Sequence, residues 1–351
     1  MKRVLVLSLA LILALPAFAK RAMRYFDVET LPGTVDTPRL SLFGNGWLAL
    51  KKGAEGDALV AMGPDGKEAR KILELKAAKI DAWWIAPRDT HVAWTSAGRL
   101  FVSEIEALDG RREAPAREDL GAAPEGGVAF SSDGRSQAWF VAGTLRVRQE
   151  GKLKEHALRA DRALAEGPVF SLDGGAVFAI TGPAAPAGPA DAVESLALDT
   201  GTWTALESAT GRTLSGLAAP HAESAPGASM PENAGRRVAW ISRGADGKAD
   251  IRVMDSGSKP AETPVEGVAV EAIAFTPYAN AIVFTSRGDG GRMQAWMVNV
   301  FRSGTMRGYA RDHIADASDG DLICPTPRGA ETWFLAKTCD DAWQVLRAKA
   351  R

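Results

Sequence analysis

The sequence is poor in the residues that most often carry chemistry. It has two cysteines, four histidines and three tyrosines among 351 residues. Two cysteines cannot form a disulfide framework, so the domain must be stabilised mainly by its packed core. The histidines lie far apart and none has the spacing of metal ligands; they are His91, His156, His221 and His313. We therefore predict no metal site and no cofactor.

An excess of charge of either sign is also missing. Lysine and arginine number 42, aspartate and glutamate 43, and the formal net charge is −1 at pH 7. A surface without basic excess is poorly suited to a phosphate backbone, which argues against a nucleic-acid partner. No nucleophile elbow, zinc-binding helix motif or phosphate loop is present. The sequence thus predicts no catalytic residue and favours a protein that is not an enzyme.

The longest apolar run lies at the N-terminus and is too short to cross a membrane. Lys2 and Arg3 precede about a dozen apolar residues, against roughly 20 for a span. The run ends in Pro-Ala-Phe-Ala at residues 16–19, a small-residue cleavage pattern. We expect residues 1–19 to be a signal peptide and residues 20–351 the mature chain. Without a membrane span, that chain would be periplasmic or secreted.

Short strand-like runs recur along the chain, each after a turn rich in Gly, Pro, Asp or Asn. An apolar anchor in each run recurs at intervals of 44, 45, 39, 62, 44 and 49 residues. The anchors are Leu50, Trp94, Trp139, Phe178, Trp240, Phe284 and Trp333. Five of these intervals are close to the roughly 40–50 residues of a propeller blade. Helical periodicity is nearly absent, so the pattern predicts an all-β propeller of four-stranded antiparallel blades. Seven blades fit best, with six as the alternative.

One unit shows the four strands clearly, at residues 127–131, 137–142, 144–148 and 153–158. Hydrophobicity falls from the first to the fourth, as expected when the first lines the ring centre and the fourth faces water. On this pattern residues 20–351 form one domain. Its blades are predicted at 36–77, 80–118, 125–160, 166–208, 235–265, 270–313 and 319–347.

The last unit ends without a fourth strand, whereas the N-terminal segment 23–30 is strand-like and has no partner in its own neighbourhood. We predict that this segment supplies the missing outer strand of the last blade. Such pairing would close the ring and remove an exposed sheet edge.

The tryptophans at repeat spacing are interpreted as packing residues between blades rather than as a platform for stacking sugars. Trp83 and Trp84 are different because neighbours on a strand point to opposite faces. We expect one of the two in the core and the other nearer the channel or the surface.

Two stretches, residues 240–255 and 275–290, resemble the repeat of the TolB-like propellers, and residues 131–135 resemble its Ser-Pro-Asp-Gly-Lys turn. The resemblance covers about residues 36–347. It implies a propeller fold and a binding role in the cell envelope. The family's namesake carries an N-terminal α/β domain before a six-bladed propeller, whereas here about a dozen mature residues precede the first strand and seven units are counted. The resemblance therefore does not imply membership of the Tol-Pal machinery.

The 62-residue interval contains two insertions, residues 182–190 and 207–233. We place the first between strands two and three of the fourth blade, and the second between that blade's last strand and the next blade. Both would then emerge on one face, where long loops on a rigid scaffold often bind partners. Tolerated sequence drift is the alternative. The predicted partner-binding residues, in neighbouring turns of that face, are Arg243, Asp246, Arg287 and Asp289.

An oxidising compartment permits a disulfide between Cys324 and Cys339, but the predicted register does not favour it. A turn near Arg328 would pair Cys324 with about Trp333. Cys339 would then lie about 20 Å further along the strand, whereas bonded cysteines have Cα atoms within about 7 Å. A bridge needs the chain after Lys337 to fold back over the blade, and both outcomes stay open.

These features together predict a monomeric, non-catalytic scaffold that binds an envelope protein or peptide. The alternative is an enzyme with a composite site in the central channel, as in lactonase-like or lyase-like propellers, because a ring brings distant residues together. A third reading, the propeller of a prolyl-peptidase-like enzyme, lacks sequence for the hydrolase domain.

Overall fold

The structure is a computed structural model built almost wholly of β-strands. It describes residues 26–35, 41–43, 46–105, 117–185, 188–220, 234–255, 261–276, 280–288, 291–300, 311–316, 322–328, 331–337 and 343–350. In this part of the chain, two single-turn 3-10 helices interrupt the strands, at Pro87–Asp89 and Ala234–Arg236. Within these ranges no helix has the length and apolar character needed to cross a membrane.

The first three sheets are four-stranded and follow one another along the chain. The N-terminal strand β1 (Phe26–Val35) belongs to the last sheet. Sheet one contains β2 (Ser41–Phe43), β3 (Gly46–Lys52), β4 (Asp57–Met62) and β5 (Glu68–Glu74). Sheet two contains β6 (Ala82–Ile85), β7 (His91–Ser96), β8 (Arg99–Glu104) and β9 (Glu118–Ala122). Sheet three contains β10 (Glu125–Phe130), β11 (Gln137–Val141), β12 (Thr144–Gln149) and β13 (Lys152–Ala157).

The next strands form one four-stranded and one seven-stranded sheet. Sheet four contains β14 (Arg162–Phe170), β15 (Ala176–Pro183), β16 (Ala192–Ala197) and β17 (Thr202–Ser208). The seven-stranded sheet contains β18 (Thr213–Ala218), β19 (Val238–Arg243), β20 (Ala249–Met254), β21 (Glu262–Phe275), β22 (Ala281–Arg287), β23 (Met293–Asn299) and β24 (Arg311–Asp316). The first half of β21 pairs with β20 and its second half with β22. We call β18 to β21 sheet five and β21 to β24 sheet six.

The last sheet, sheet seven, joins the two ends of the described chain. It contains β25 (Leu322–Arg328), β26 (Glu331–Lys337), β27 (Trp343–Ala350) and, beside β27, the N-terminal β1 (Phe26–Val35). The β1 and β27 strands are antiparallel, with Phe26 opposite Ala350 and Val35 opposite Trp343. The N-terminal strand is therefore the fourth strand of this sheet.

Antiparallel order fixes the side on which each connection emerges. Connections from strand two to strand three, and from strand four to the next sheet, leave on one side, which we call the front face. Connections from strand one to two and from three to four leave on the other side, the back face. The front face carries residues 184–185, 188–191 and 209–212, and the back face residues 131–136, 171–175, 219–220 and 234–237. Residues 186–187 and 221–233 of the two insertions lie outside the described residues.

This order corrects the predicted position of the second insertion. Residues 213–218 form β18, which pairs with β19, so the fifth sheet begins there rather than at residue 235. The long connection therefore lies between strands one and two of sheet five, on the back face. The first insertion lies between strands two and three of sheet four, as predicted. The two insertions leave opposite faces, and the prediction that they share one is wrong.

Apolar clusters fill the spaces between successive sheets, from the pair one and two to the pair six and seven. Trp94, Trp139, Trp240 and Phe284 are fully buried, and each packs against the sheet before its own. Burying a large side chain contributes roughly 1.5–3 kcal/mol, so these repeated anchors are a major part of the core energy. The interpretation as packing residues is confirmed for Trp94, Trp139 and Trp240, whereas the side chain of Trp333 lies outside what the structure describes.

The adjacent tryptophans also divide as predicted. Trp83 is 3% exposed and belongs to the cluster between sheets one and two. Trp84 is partly buried and packs against the cluster on the other side of its sheet.

Candidate binding face

Arg243 lies at the front end of β19, where the chain turns through Gly244–Lys248 into β20. The Gly244 N–H donates to the Lys248 carbonyl at 2.8 Å and closes the turn. The Arg243 guanidinium donates from Nη1 to the Gly247 carbonyl at 3.1 Å and from Nη2 to the Val270 carbonyl. In the part of the chain that the structure describes, it has no carboxylate partner. Arg243 is thus held by the backbone while its charge stays uncompensated.

Asp246 shapes the same turn. Its Oδ1 accepts the Lys248 N–H at 3.1 Å, and Gly247 takes the left-handed conformation with φ of 79°. A short side chain that bonds its own backbone and a glycine at positive φ are typical of such turns. The side chain of Asp246 is exposed, but its first role is in the turn.

Arg287 repeats this arrangement on sheet six, with one difference. Its Nη1 points to the Gly291 carbonyl at 3.4 Å, and the Gly288 N–H donates to the Arg292 carbonyl at 2.8 Å. Its Nε, however, donates to Glu271 Oε1 at 3.2 Å. The charge of Arg287 is therefore paired, unlike that of Arg243. Asp289, the fourth predicted residue, lies outside the described residues.

The structure thus places three of the four predicted residues on the front face, at corresponding turns of adjacent sheets. Sheet four adds residues 184–185 and 188–191 on the same face, whereas the chain leaves β18 and enters β19 on the back face. Partner binding by Arg243, Asp246 and Arg287 remains a prediction. Their contacts show that each also supports its own turn.

A repeated arginine clamp on the front face was not foreseen from the sequence. Arg212 precedes β18 and donates to Ser242 Oγ at 2.8 Å and to Asp250 Oδ2 at 2.7 Å. Arg162 makes the same set of contacts in sheet four, to Thr181 and Asp191. Each clamp joins the first three strands of its sheet at the front end. The signal was present as Arg, Ser or Thr, and Asp at matching strand ends, but β18 had not been recognised as a strand.

Glu194 is a buried carboxylate behind the front face of sheet four. Its side chain is 2% exposed, and its Oε1 accepts from Arg159 Nη2 at 2.6 Å. The other carboxylate oxygen is buried without a hydrogen-bond partner in the structure. Removing Arg159 would leave a buried uncompensated charge, so the local fold depends on Arg159 to accommodate Glu194.

Two carboxylates on the first strands of sheets three and four accept hydrogen bonds from backbone N–H groups. Glu166 accepts the backbone N–H groups of Gly216 and Leu217 in the next sheet, each at 2.7 Å. Glu125 accepts the Ala142 N–H at 2.8 Å. Within the described ranges, no group of three or more His, Cys, Asp or Glu residues is arranged to hold a metal ion.

Cys324 lies on β25 opposite Leu335, two residues beyond the predicted partner Trp333. Cys339 falls outside the described residues, so the disulfide between them stays a prediction.

Comparison with known proteins establishes the fold. No family model matches the sequence, and no curated protein matches it. Among solved structures, a prolyl endopeptidase matches with a TM-score of 0.61 and 14% identity, over 97% of this chain and 50% of the other. This chain thus spans about half the length of that enzyme. The oligogalacturonate lyase from Vibrio parahaemolyticus matches with a TM-score of 0.62 and 10% identity, over 93% and 97% of the two chains.

The β-propeller domain of the Trilobed protease from Pyrococcus furiosus, which has an open velcro topology, matches with a TM-score of 0.60. The identity is 8%, over 94% of this chain and 95% of the other. TolB from Acinetobacter baumannii matches at 0.46 and 14% identity, over 77% and 62% of the chains, which is too weak to establish a family. The likenesses above 0.5 show a fold and no function. The chain has an all-β propeller fold.

Proposed function

We propose that this protein is an exported, non-catalytic propeller that binds an envelope protein or peptide on its front face. Export rests on the basic, apolar and small-residue pattern of residues 1–19. A single monomeric chain would present the front-face turns of sheets four to six side by side. A TolB-like binding role is part of this proposal and follows from the resemblance of residues 240–255 and 275–290.

The proposal includes a closed ring of seven blades, in which β1 completes the last blade. The neighbours of Trp47 and Val60 along their strands face sheet two, so the side chains of Trp47 and Val60 point away from sheet two. Both side chains are nevertheless only 1% exposed. Val345 is 0% exposed and points away from sheet six in the same manner. Apolar residues on the outward faces of sheets one and seven are buried, and contact between these two sheets accounts for both.

The observation that carries the binding proposal is that the Arg243 guanidinium is held by backbone carbonyls and has no described carboxylate partner. A guanidinium offers five N–H donors in a fixed fork that suits a carboxylate. Two backbone carbonyls hold this fork in place, and no described carboxylate neutralises it. A partner carboxylate would therefore meet a positioned cation and would not have to displace an existing ion pair.

The enzyme alternative would need acidic or basic groups free to act near the ring axis. Glu166 and Glu125 hold backbone N–H groups, and Glu271 holds Arg287. These contacts favour a structural role for the described inner-strand carboxylates and so favour the binding proposal.

The test compares Arg243 with its counterpart Arg287. Mature protein is used to capture partners from an envelope extract, the captured protein is identified by mass spectrometry, and its Kd is measured by calorimetry. We expect Arg243→Gln to weaken binding by about tenfold or more, because a charge-assisted contact is lost. Arg287→Gln, which removes an already paired charge, should change the Kd by less than about threefold.

Arg243→Lys is the second control, since it keeps the charge and loses the fork, and it should bind with intermediate affinity. Melting temperatures of all variants must match that of the natural protein for the comparison to count. Equal affinity of Arg243→Gln and the natural protein would reject the front-face site and would favour the central channel.

A further inference from the structure

A bulge in β24 brings four polar and aromatic side chains onto one face of sheet six. Trp296 is opposite His313 and Gln294 is opposite Asp316, with the register shift between these pairs. Residues three apart on a regular strand point to opposite faces, but the extra residue of a bulge reverses this. His313 and Asp316 therefore meet on the same face, although they are separated by two residues.

Hydrogen bonds fix this group. Asp316 Oδ1 lies 3.1 Å from His313 Nε2 and accepts from Gln294 Nε2 at 2.9 Å. The Trp296 and His313 rings lie 4.8 Å apart at an angle of 69°. Gly288 allows the arrangement, because a Cβ there would come within 2.6 Å of Gln294 Oε1. The carboxylate and the indole are thus held by their neighbours before any ligand arrives.

The exposed charge of this group is negative. The Asp316 side chain is 52% exposed, and within the described residues it has no lysine or arginine as an ion-pair partner. Trp296 is partly buried against the cluster between sheets five and six. The Trp296 indole and a half-exposed carboxylate with no described lysine or arginine partner lie on adjacent strands, about 7–8 Å apart on the diagonal, and suit a cation that contacts both.

We propose that Trp296 and Asp316 form a site for a basic side chain, an arginine guanidinium or a lysine ammonium, of a protein or peptide. Gln294 and His313 are its positioning residues. The site lies at the front end of β23 and β24, beside the Arg287 turn. It deepens the proposed function, since the same partner would offer a carboxylate to Arg243 and a cation to Asp316.

The test needs no identified partner. The peptide acetyl-Gly-Arg-Gly-amide is titrated into 15N-labelled protein while the indole N–H resonance of Trp296, assigned with Trp296→Phe, is followed. The same peptide with citrulline in place of arginine is the neutral comparison. We expect a saturable shift with the arginine peptide and at most a weak one with citrulline. Asp316→Asn, which keeps the hydrogen-bond acceptor and removes the charge, should weaken binding about tenfold.

Glu266→Gln is the matched control, because it removes an exposed carboxylate from the neighbouring outer strand of sheet five. It should leave the titration unchanged, and the melting temperature should be the same for both variants. The proposed site would be rejected by the absence of a shift with the arginine peptide or by an equal shift with the citrulline peptide. It would also be rejected if Glu266→Gln weakened binding as much as Asp316→Asn. If Arg243→Gln binds the captured partner as tightly as the natural protein does while the arginine peptide still titrates, only the proposed front-face function is rejected.

Discussion

Two glycines at matching positions allow the stability cost of a strained backbone to be distinguished from the stability cost of a close contact. Gly134 and Gly174 both end a Ser-x-Asp-Gly turn on the back face, with φ of 74° and 69°. A Cβ at Gly134 would lie 2.0 Å from Thr90 Oγ1 in the preceding sheet. At Gly174 a Cβ would meet nothing within 4 Å. At the glycine position, therefore, only the first turn is in tight contact with the preceding sheet.

We predict that alanine is tolerated far better at residue 174 than at residue 134. Gly174→Ala should cost about 1–2 kcal/mol of unfolding free energy, for the left-handed backbone alone. Gly134→Ala should cost a further 1–3 kcal/mol or so, because the turn must move away from Thr90. Urea denaturation of both variants measures the difference. Equal losses would mean that the two sheets are not in contact at this turn.

His91 is a partly buried imidazole between sheets two and three. It stacks on Phe130 with ring centroids 6.5 Å apart, and its Nδ1 is buried without a hydrogen-bond partner. Burial lowers the pKa of His91, Glu104 and Asp133 raise it, and Arg148 lowers it, with a net decrease. Burial, followed by the charge of Lys154, also lowers the pKa of His156.

This decrease gives stability a defined pH dependence. Below about pH 6.5 the unfolded chain binds protons at these positions that the folded chain does not, so the free energy of unfolding falls as pH falls. We predict that His91→Gln flattens this dependence between about pH 7 and 5, and that adding His156→Gln flattens it further. Urea denaturation series at each pH measure this dependence. An unchanged dependence in His91→Gln would contradict the account.

At the scale of elements, removal of β1 is the most informative test of how the last sheet is completed. It pairs with β27 over its length, and Phe26 packs against the cluster between sheets six and seven. Glu29 also pairs with Arg347 across the two strands. The strand thus adds hydrogen bonds, apolar contact and an ion pair to the last sheet.

Deleting residues 23–30 should lower the melting temperature by roughly 10 °C or more, because it exposes the edge of β27 and opens the proposed ring. Val28→Ala is the control: Val28 is 42% exposed, so its truncation should change stability by less than about 0.5 kcal/mol. Calorimetric scans of the three proteins provide the comparison. A deletion that melts with the natural protein would reject closure through β1.

Elements with regular alternation were predictable from the sequence, and elements altered by their neighbours were not. Sheet three was expected at 127–131, 137–142, 144–148 and 153–158, and its strands are within two residues of this. β18 was missed because Ser215 and Gly216 break its apolar pattern, and the strand depends on Glu166 of sheet four for its backbone contacts. The sequence predicts two separate strands where the structure has the single strand β21. Its continuity depends on pairing with β20 in the first half and with β22 in the second, which the local sequence does not indicate.

For the molecule as a whole, the sequence indicated the repeat but not the side from which each insertion leaves. One missed inner strand moved the second insertion from the front face to the back face. The turns of Arg243 and Arg287 were predicted as equivalent, and their backbone contacts are. Their different charge pairing depends on Glu271, which lies on another strand and carries no local signal in the sequence.

The most direct test of the central claim is hydrogen–deuterium exchange of the protein alone and with its captured partner. Exchange can be assigned to one face or the other, because the front-face connections at 184–191, 209–212 and 244–248 share no residues with the back-face turns at 131–136 and 171–175. We predict that the partner slows exchange in the front-face connections, most strongly at 244–248, and leaves the back-face turns unchanged. Slower exchange confined to the back-face turns would contradict the account.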